Sequence, residues 1–269
     1  MNNAAELYTR TAPHYDRTRA AVGLEIILGC FATGGKLHRQ TIVDAGCGTG
    51  NYAHALSAHV GAVHAVDRSA AMLAQARAKA GGDGVVFHRA AVDSLPLGDG
   101  TADGVTVNQV LHHLGGDGAV AAALAEFHRV LKPGGALVVN TCSHRQLRHG
   151  FWPYKLLPEA ALAAMVARHV DVPGLQMMLA AAGFAHRAVV VPADAVLQGA
   201  AYFNARGPAD AGWRGGDSIW GLLSAEETSA VEERIAGLAR ENALEKFMRD
   251  ADAGRENCGQ MTFVFSARA

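Results

Sequence analysis

The sequence predicts an α/β protein built on a doubly wound, largely parallel sheet. Three observations carry that expectation. From Thr41 onward, short apolar β-branched runs alternate with alanine-rich amphipathic segments, the pattern of strands wrapped by helices. The first run leads into DAGCGTGN (44–51), with glycines at alternate positions, at the place where such sheets bind ligands. The chain has 269 residues, 50% hydrophobic and 18% charged, enough to cover both faces of a sheet.

TIVDAG (41–46) is a buried strand by its β-branched run, followed by a helix over YAHALSAHV (52–60) and a second strand, AVHAVD (62–67). SAAMLAQARAKA (69–80) reads as a helix with Ser69 as N-cap and Gly81 and Gly82 as its stop. VVFHRA (85–90), GVTVNQV (104–110) and ALVVNT (136–141) are further strands, the last two flanking a helix over DGAVAAALAEFHRVL (117–131). After Cys142 the pattern breaks: HRQLRHGFWPYKLLPEA (144–160) gathers basic and aromatic residues without a clean period, as an insertion does. A helix over 174–184 and a strand over 187–192 resume the alternation. A second irregular stretch (194–220), helices near 224–238 and 240–250, and a strand, QMTFVFSA (260–267), complete the chain. No internal repeat or low-complexity linker divides it. A single domain is expected over 1–269, with an N-terminal segment (1–40), a core (41–142) and insertions at 143–172 and 194–258.

The formal net charge of −1 gives no global field toward nucleic acid or anionic lipid, and nothing resembles a nucleic-acid module. The four cysteines lie far apart with no CxxC pair, so neither a zinc site nor a disulfide framework is indicated. The N-terminus lacks the apolar core of a signal peptide, and no run is long enough to span a membrane. A cytoplasmic protein, monomer or homodimer, is expected.

The glycine loop alone is a weak signal. A P-loop needs GxxxxGK followed by Ser or Thr, and no lysine follows here. A dinucleotide loop needs GxGxxG, whereas the third glycine, Gly50, arrives one residue early and Asn51 fills the sixth place. Asp67 at the tip of the second strand suits a ribose diol, and Asp93 and Ser94 follow the third strand. Bare carboxylates suit a diol or an amine and poorly suit a phosphate.

Taken together, VDAGCGTG, AVDRSAAML, AAVDSLPLGDGTADGVTVNQVLHHL and EFHRVLKPGGALVV resemble the ordered motifs of class I S-adenosylmethionine-dependent methyltransferases. The resemblance is closest to the branch of the ubiquinone and menaquinone C-methyltransferases and many small-molecule enzymes, and it covers about residues 41–142. It implies a seven-stranded Rossmann-like sheet with the last strand antiparallel and two lid insertions. S-adenosyl-L-methionine is the implied cofactor and S-adenosyl-L-homocysteine the product. By the same resemblance Asp44 receives the methionine ammonium directly or through water, Gly46 and Gly48 bring backbone close to the cofactor with Asn51 a further cofactor-binding residue, and Asp67 accepts the ribose hydroxyls. Asp93 receives the adenine amine, the Ser94 backbone meets the ring, and Arg68 and Met72 flank it, although Met72 also suits a core position. Asn108 is placed near the methionine moiety. APHYDRTR (12–19) resembles the segment that covers the cofactor, with Tyr15 the first choice for a contact and Tyr8 the second.

Methyl transfer is a displacement, so the protein chiefly aligns a nucleophile and, where needed, removes a proton. His112 and His113 are the candidate catalytic residues, with a supporting structural role the alternative for His113. No metal is expected, because Gln109 and His112 stand where metal-linked relatives carry glutamates. Arg145, Arg148, Trp152 and Tyr154 in the first insertion, with Tyr202 and Trp213 in the second, are candidate walls for a small substrate. Guanidinium groups beside aromatics suit an anionic one. Cys142 is expected near the pocket. The alternatives are a quinone-type or isoprenoid C-methyltransferase, a non-catalytic cofactor-binding regulatory protein, and a nicotinamide-dependent dehydrogenase.

Overall fold

A computed structural model describes residues 15–79 and 84–269. Tyr8 and the expected helix stop at Gly81 and Gly82 lie outside the described residues. The core alternates β1 (Thr41–Ala45), α2 (Asn51–Ser57), β2 (Ala62–Asp67), α3 (Ala70–Ala78), β3 (Val85–Arg89), β4 (Ala102–Asn108), α4 (Asp117–Val130) and β5 (Leu131–Thr141), preceded by α1 (Leu24–Ala32). The first insertion forms α5 (His144–His149), a 3-10 turn over Trp152–Leu156 and α6 (Glu159–Arg168); α7 (Val172–Ala181) and β6 (Phe184–Val190) follow. The second forms short turns, α8 (Ala211–Arg214), α9 (Ala225–Arg240), α10 (Leu244–Asp252) and α11 (Arg255–Cys258), before β7 (Thr262–Arg268).

The seven strands lie in the order β3-β2-β1-β4-β5-β7-β6. The pairs from β3 through β5 are parallel, and β7 runs antiparallel between β5 and β6. Successive side chains of a strand point to opposite faces, so runs such as Ile42–Val43 and Leu137–Val138 each feed two cores. Ile42, Val63, Val138 and Phe263 join the core on one face; Val43, Val66, Leu137 and Val264 join the other. Helix α4 covers the second face with Val120, Ala123, Leu124, Phe127 and Val130, a helical stripe.

Element boundaries move where backbone geometry, not hydropathy, ends a run. The fourth strand stops at Asn108, because Gln109 takes a positive φ of 56° and turns the chain away. The sixth strand begins earlier than expected, at Phe184, since Gly183 (φ 89°) reverses the chain after α7 and puts the buried Phe184 straight into the sheet. The stretch without a clean period is ordered by capping. Ser143 Oγ accepts from the Gln146 amide at 3.2 Å, while Gln146 Oε1 accepts from the Ser143 amide at 2.8 Å, a reciprocal cap that starts α5. The same Gln146 amide group donates to the carbonyls of Cys258 and Met261, both at 2.9 Å, and so docks the first insertion on the approach to β7.

The two insertions share an aromatic core. Trp152 and Tyr202 are both fully buried; the Trp152 amide donates to the Tyr202 hydroxyl at 3.1 Å and the indole Nε1 donates to the Tyr202 carbonyl at 2.9 Å. Trp213 donates its indole N–H to the Ala201 carbonyl at 2.8 Å and meets Trp220 edge-on. The Trp152–Tyr202 pair joins the two insertions, and the Trp213 contacts order the second one. Among the described residues no helix is long and apolar enough to cross a membrane.

Trp152→Ala should therefore cost about 3 to 5 kcal/mol, the range for emptying a buried aromatic site. Urea unfolding of the ligand-free protein measures it; a loss under about 1 kcal/mol would mean that the two insertions do not depend on this contact.

Candidate active site

Strand order reverses between β1 and β4, and a cavity of about 220 Å³ opens at the carboxyl ends of the strands around that switch. The glycine loop forms its floor. The amides of Gly46 and Cys47 donate to the Val66 carbonyl at 2.7 and 3.0 Å, pulling the loop against the end of β2. Gly46 has φ 77°, and a Cβ there would meet Val110 Cγ2 at 2.4 Å, so both the turn and the close approach require glycine. Gly48 lines the cavity with φ 53°, and a Cβ there would meet nothing within 4 Å, so its backbone faces open space. Its amide donates to Asp67 Oδ2 at 2.9 Å, and the Ser69 amide donates to Oδ1 at 2.8 Å. Two backbone donors thus fix the carboxylate while each oxygen keeps acceptor capacity for a ligand. Burial nevertheless raises the Asp67 pKa, against the pull of those amides and of Arg68.

Asp44 ends β1 beneath this loop, and only 1% of it is exposed. Burial lifts its carboxyl to about 7, with repulsion from Asp67 adding and Asn108 and the Ala53 amide opposing. Among the described residues Asp44 Oδ2 and Asn108 Oδ1 are buried without a hydrogen-bond partner. Two orphaned acceptors at adjacent strand ends, β1 and β4 being paired, call for a cationic donor, and an ammonium group meets that need.

Arg68, Met72, Asp93 and Asn108 line the same cavity, Met72 buried to 2% exposure so that one side chain serves both core and cleft. Ser94 does not line it; its amide closes a turn on the Ala91 carbonyl at 3.2 Å. Asn51 is also set back. Its amide group donates to Asp16 Oδ1 and the Arg19 carbonyl, and Lys79 donates to its Oδ1. Thr49 also donates to Asp16 Oδ1, at 2.6 Å, and Lys79 pairs with Oδ2 at 2.8 Å. This clasp fastens residues 15–19 to the loop and brings Tyr15 and Arg19 into the cavity.

Arg19, the last residue of APHYDRTR, carries no sequence signal of its own beyond that segment. Its Nε donates to the Gly216 carbonyl at 2.7 Å, and among the described residues its terminal nitrogens make no hydrogen bond or ion pair. Burial works against its charge, but Asp217 and the neighbouring Tyr15, Tyr154 and Cys142 sites raise its pKa on balance. Opposite it, Tyr154 donates to Asp217 Oδ2 at 2.9 Å and stacks on Phe151, centroids 4.6 Å apart and planes 11° from parallel. Leu147, Met165 and Leu197 complete an apolar wall, and Gln109 and Cys142 border it.

His112 and His113, on the turn after β4, both line the cavity, with centroids 3.9 Å apart. His169 joins them from the first insertion, stacked on His112 at 4.1 Å and 17°. Burial first, then repulsion among these rings and Arg19, holds His112 well below an ordinary histidine and His113 down to about 3; burial also lowers His169. Burial thus favours the neutral form of each ring.

Five expected wall residues lie elsewhere. Trp152, Tyr202 and Trp213 are spent in the aromatic core between the insertions. Arg145 and Arg148 are exposed on α5, where Arg148 pairs with Glu159 at 3.5 Å; a six-residue helix buries one face, and Gln146 and Leu147 take it. Tyr154 alone of that set lines the cavity. No group of three or more His, Cys, Asp or Glu among the described residues is arranged to hold a metal ion.

Residues 43–139 match the model of a methyltransferase domain family. The ubiquinone/menaquinone biosynthesis C-methyltransferase of Rubrivivax gelatinosus is 33% identical over 54% of this chain and 62% of its own length. The chain spans less than two thirds of the length of the first curated relatives it matches. Among solved structures, a putative methyltransferase from an antibiotic biosynthesis pathway of Anabaena variabilis superposes with TM-score 0.73 at 21% identity, over 93% of this chain and 99% of that one. The geranyl diphosphate C-methyltransferase of Streptomyces coelicolor, solved with Mg2+, geranyl diphosphate and S-adenosyl-L-homocysteine, superposes at 0.55 and 18% identity, over 91% and 78%. These structures share the fold.

The raised Asp44 carboxyl has a consequence for stability. Unfolded, it titrates near about 3.9; folded, near about 7. Between those values the folded state binds more protons, so stability falls as pH rises through the window, and the cost is complete above it. Asp44→Asn should be more stable than the wild type near pH 8 by about 1 to 4 kcal/mol, the difference closing below about pH 4. Denaturant unfolding across pH measures this; a variant no more stable at the alkaline end would show that Asp44 does not bear the burial cost.

Proposed function

We propose that this chain, whose core is a class I S-adenosylmethionine-dependent methyltransferase domain, transfers the cofactor's methyl group to a small organic acceptor held in the cleft. The observation that carries the reading is the pair of carboxylates at the ends of β1 and β2, Asp44 with an unpartnered buried oxygen and Asp67 oriented by two loop amides. An ammonium satisfies the first, a ribose diol the second. Asp93 at the rim takes the adenine amine, with Arg68 and Met72 beside the ring, and Tyr15 covers the cofactor. When bound, S-adenosylmethionine supplies an electrophilic methyl on a sulfonium.

The chain's own part is alignment, exclusion of water and handling of one proton. The acceptor occupies the space between Arg19, the neutral histidines and the Phe151–Tyr154 stack. The anionic or electron-rich group expected of it meets Arg19, in place of the exposed Arg145 and Arg148. A quinone-type or isoprenoid acceptor is favoured by the apolar wall and by the likeness to the Rubrivivax gelatinosus enzyme.

Isothermal titration with S-adenosylhomocysteine tests the cofactor site. Asp67→Ala should weaken binding by about 100-fold, as the loss of two hydrogen bonds to a charged group implies; unchanged affinity would sink the ribose assignment. Because an ammonium favours the ionised carboxylate, binding near pH 6.5 should release protons, read from the buffer dependence of the heat, and Asp44→Asn should abolish the release. A wild type that takes up protons, or exchanges none, would remove Asp44 from the methionine site.

A further inference from the structure

His169 lies outside the matched domain and carries no motif, yet its ring is firmly held. It follows the last turn of α6, only 6% exposed. Its Nδ1 faces the Met165 carbonyl at 2.9 Å, a contact that demands a proton on Nδ1 and leaves the lone pair on Nε2. Its own amide donates to the Val166 carbonyl at 3.1 Å, and its carbonyl meets His144 Nε2 at 2.8 Å. Stacking on His112 fixes the ring plane. Because Nδ1 is committed to the parent helix, Nε2 is the basic atom left for the cavity that His169 lines.

The surrounding charges separate it from its neighbours. Asp217, from the second insertion, favours a proton on His169, while burial, His144 and Arg168 oppose it. His112 has no such carboxylate among its main influences and bears repulsion from His113, His169, Arg19 and Arg168. His113 is held lower by burial, His169, Arg168, Arg68 and Arg19.

We propose that His169 Nε2 is the base that takes the acceptor's proton, and that the acceptor is an acidic hydroxyl or enol on a flat apolar body. The inference rests on the methyltransferase reading above. The acceptor's O–H proton passes to Nε2, giving an imidazolium. The electron pair of the oxygen, or of the enol carbon conjugated to it, forms the bond to the methyl carbon, and the carbon–sulfur bond breaks with its pair left on sulfur. Methylation on carbon regenerates the carbonyl. The imidazolium returns its proton to water after product leaves. Arg19 lines the same cavity, where its guanidinium stabilises charge on the acceptor oxygen, and the stacked Phe151 and Tyr154 offer a flat wall.

The test uses the full chain with methyl-tritiated cofactor and three probes, hydroquinone, α-naphthol and the cyclic β-diketone dimedone. The wild type should label at least one, with a rate that falls on the acid side. His169→Asn keeps a donor for the Met165 carbonyl and deletes Nε2. It should lower kcat about 100-fold or more with KM little changed, lose the acid limb, and recover in part with added imidazole. His169→Gln serves as a second variant, and S-adenosylhomocysteine titration reports that each has folded. Retained kcat in these variants, or a larger, imidazole-rescued loss in His112→Asn, overturns the assignment. Label reaching none of the probes overturns the acceptor class. Wild-type protein that fails to bind S-adenosylhomocysteine counts instead against the underlying reading.

Discussion

The close approach of the residue 46–48 backbone to the end of β2 is the contact on which the cleft depends. The Val66 carbonyl accepts two amides from the loop, and Val110 leaves no room for a side chain at Gly46. That geometry turns the Gly48 amide onto Asp67, and Asp67 in turn accepts the Ser69 amide where α3 begins. A substituent at Gly46 would displace the loop, the carboxylate and the helix start together. The cavity is shaped first by backbone and only then by side chains.

A second layer of polar contacts joins this floor to the roof. Asp16 is shared by Thr49, Asn51 and Lys79, so the segment carrying Tyr15 and Arg19 is fastened to the loop. Arg19 then reaches the Gly216 carbonyl, and Arg17 pairs with Asp210 at 3.7 Å, both in the second insertion. The exposed Arg17 pair contributes little. The half-buried bond from Arg19 is the one that links the two sides of the cleft. These hydrogen bonds run without a break from the glycine loop to the second irregular stretch.

Polar groups in the cleft beyond the glycine loop are costly to bury. Tyr154 is kept a phenol, first by burial and then by Asp217, and donates to that carboxylate. Burial disfavours the charged form of all three imidazoles, which lowers the penalty of holding them in the cleft. Asp44 is the exception: among the described residues its Oδ2 is buried without a hydrogen-bond partner, and burial raises its pKa.

The sequence by itself determined the parallel core, the glycine loop and the carboxylates Asp44, Asp67 and Asp93, because each depends on local pattern: short continuous apolar runs, glycine where φ is positive, an acid at or just after a strand end. It also placed His112 and His113 beside the cleft, since they follow a strand by a few residues. What only the tertiary structure decided lies in the insertions. There, hydropathy cannot tell an aromatic that lines a cleft from one that faces another aromatic: Trp152 packs on Tyr202 and Trp213 on Trp220, while Phe151 and Tyr154 line the cavity. The Ser143–Gln146 cap, and the hold of Gln146 on the carbonyls before β7 that leaves Arg145 and Arg148 in solvent, appear only in the folded chain. Arg19 and His169 reach the cleft from opposite sides of the chain's core, 150 residues apart in sequence. Their meeting is fixed by long-range packing, which no local period records.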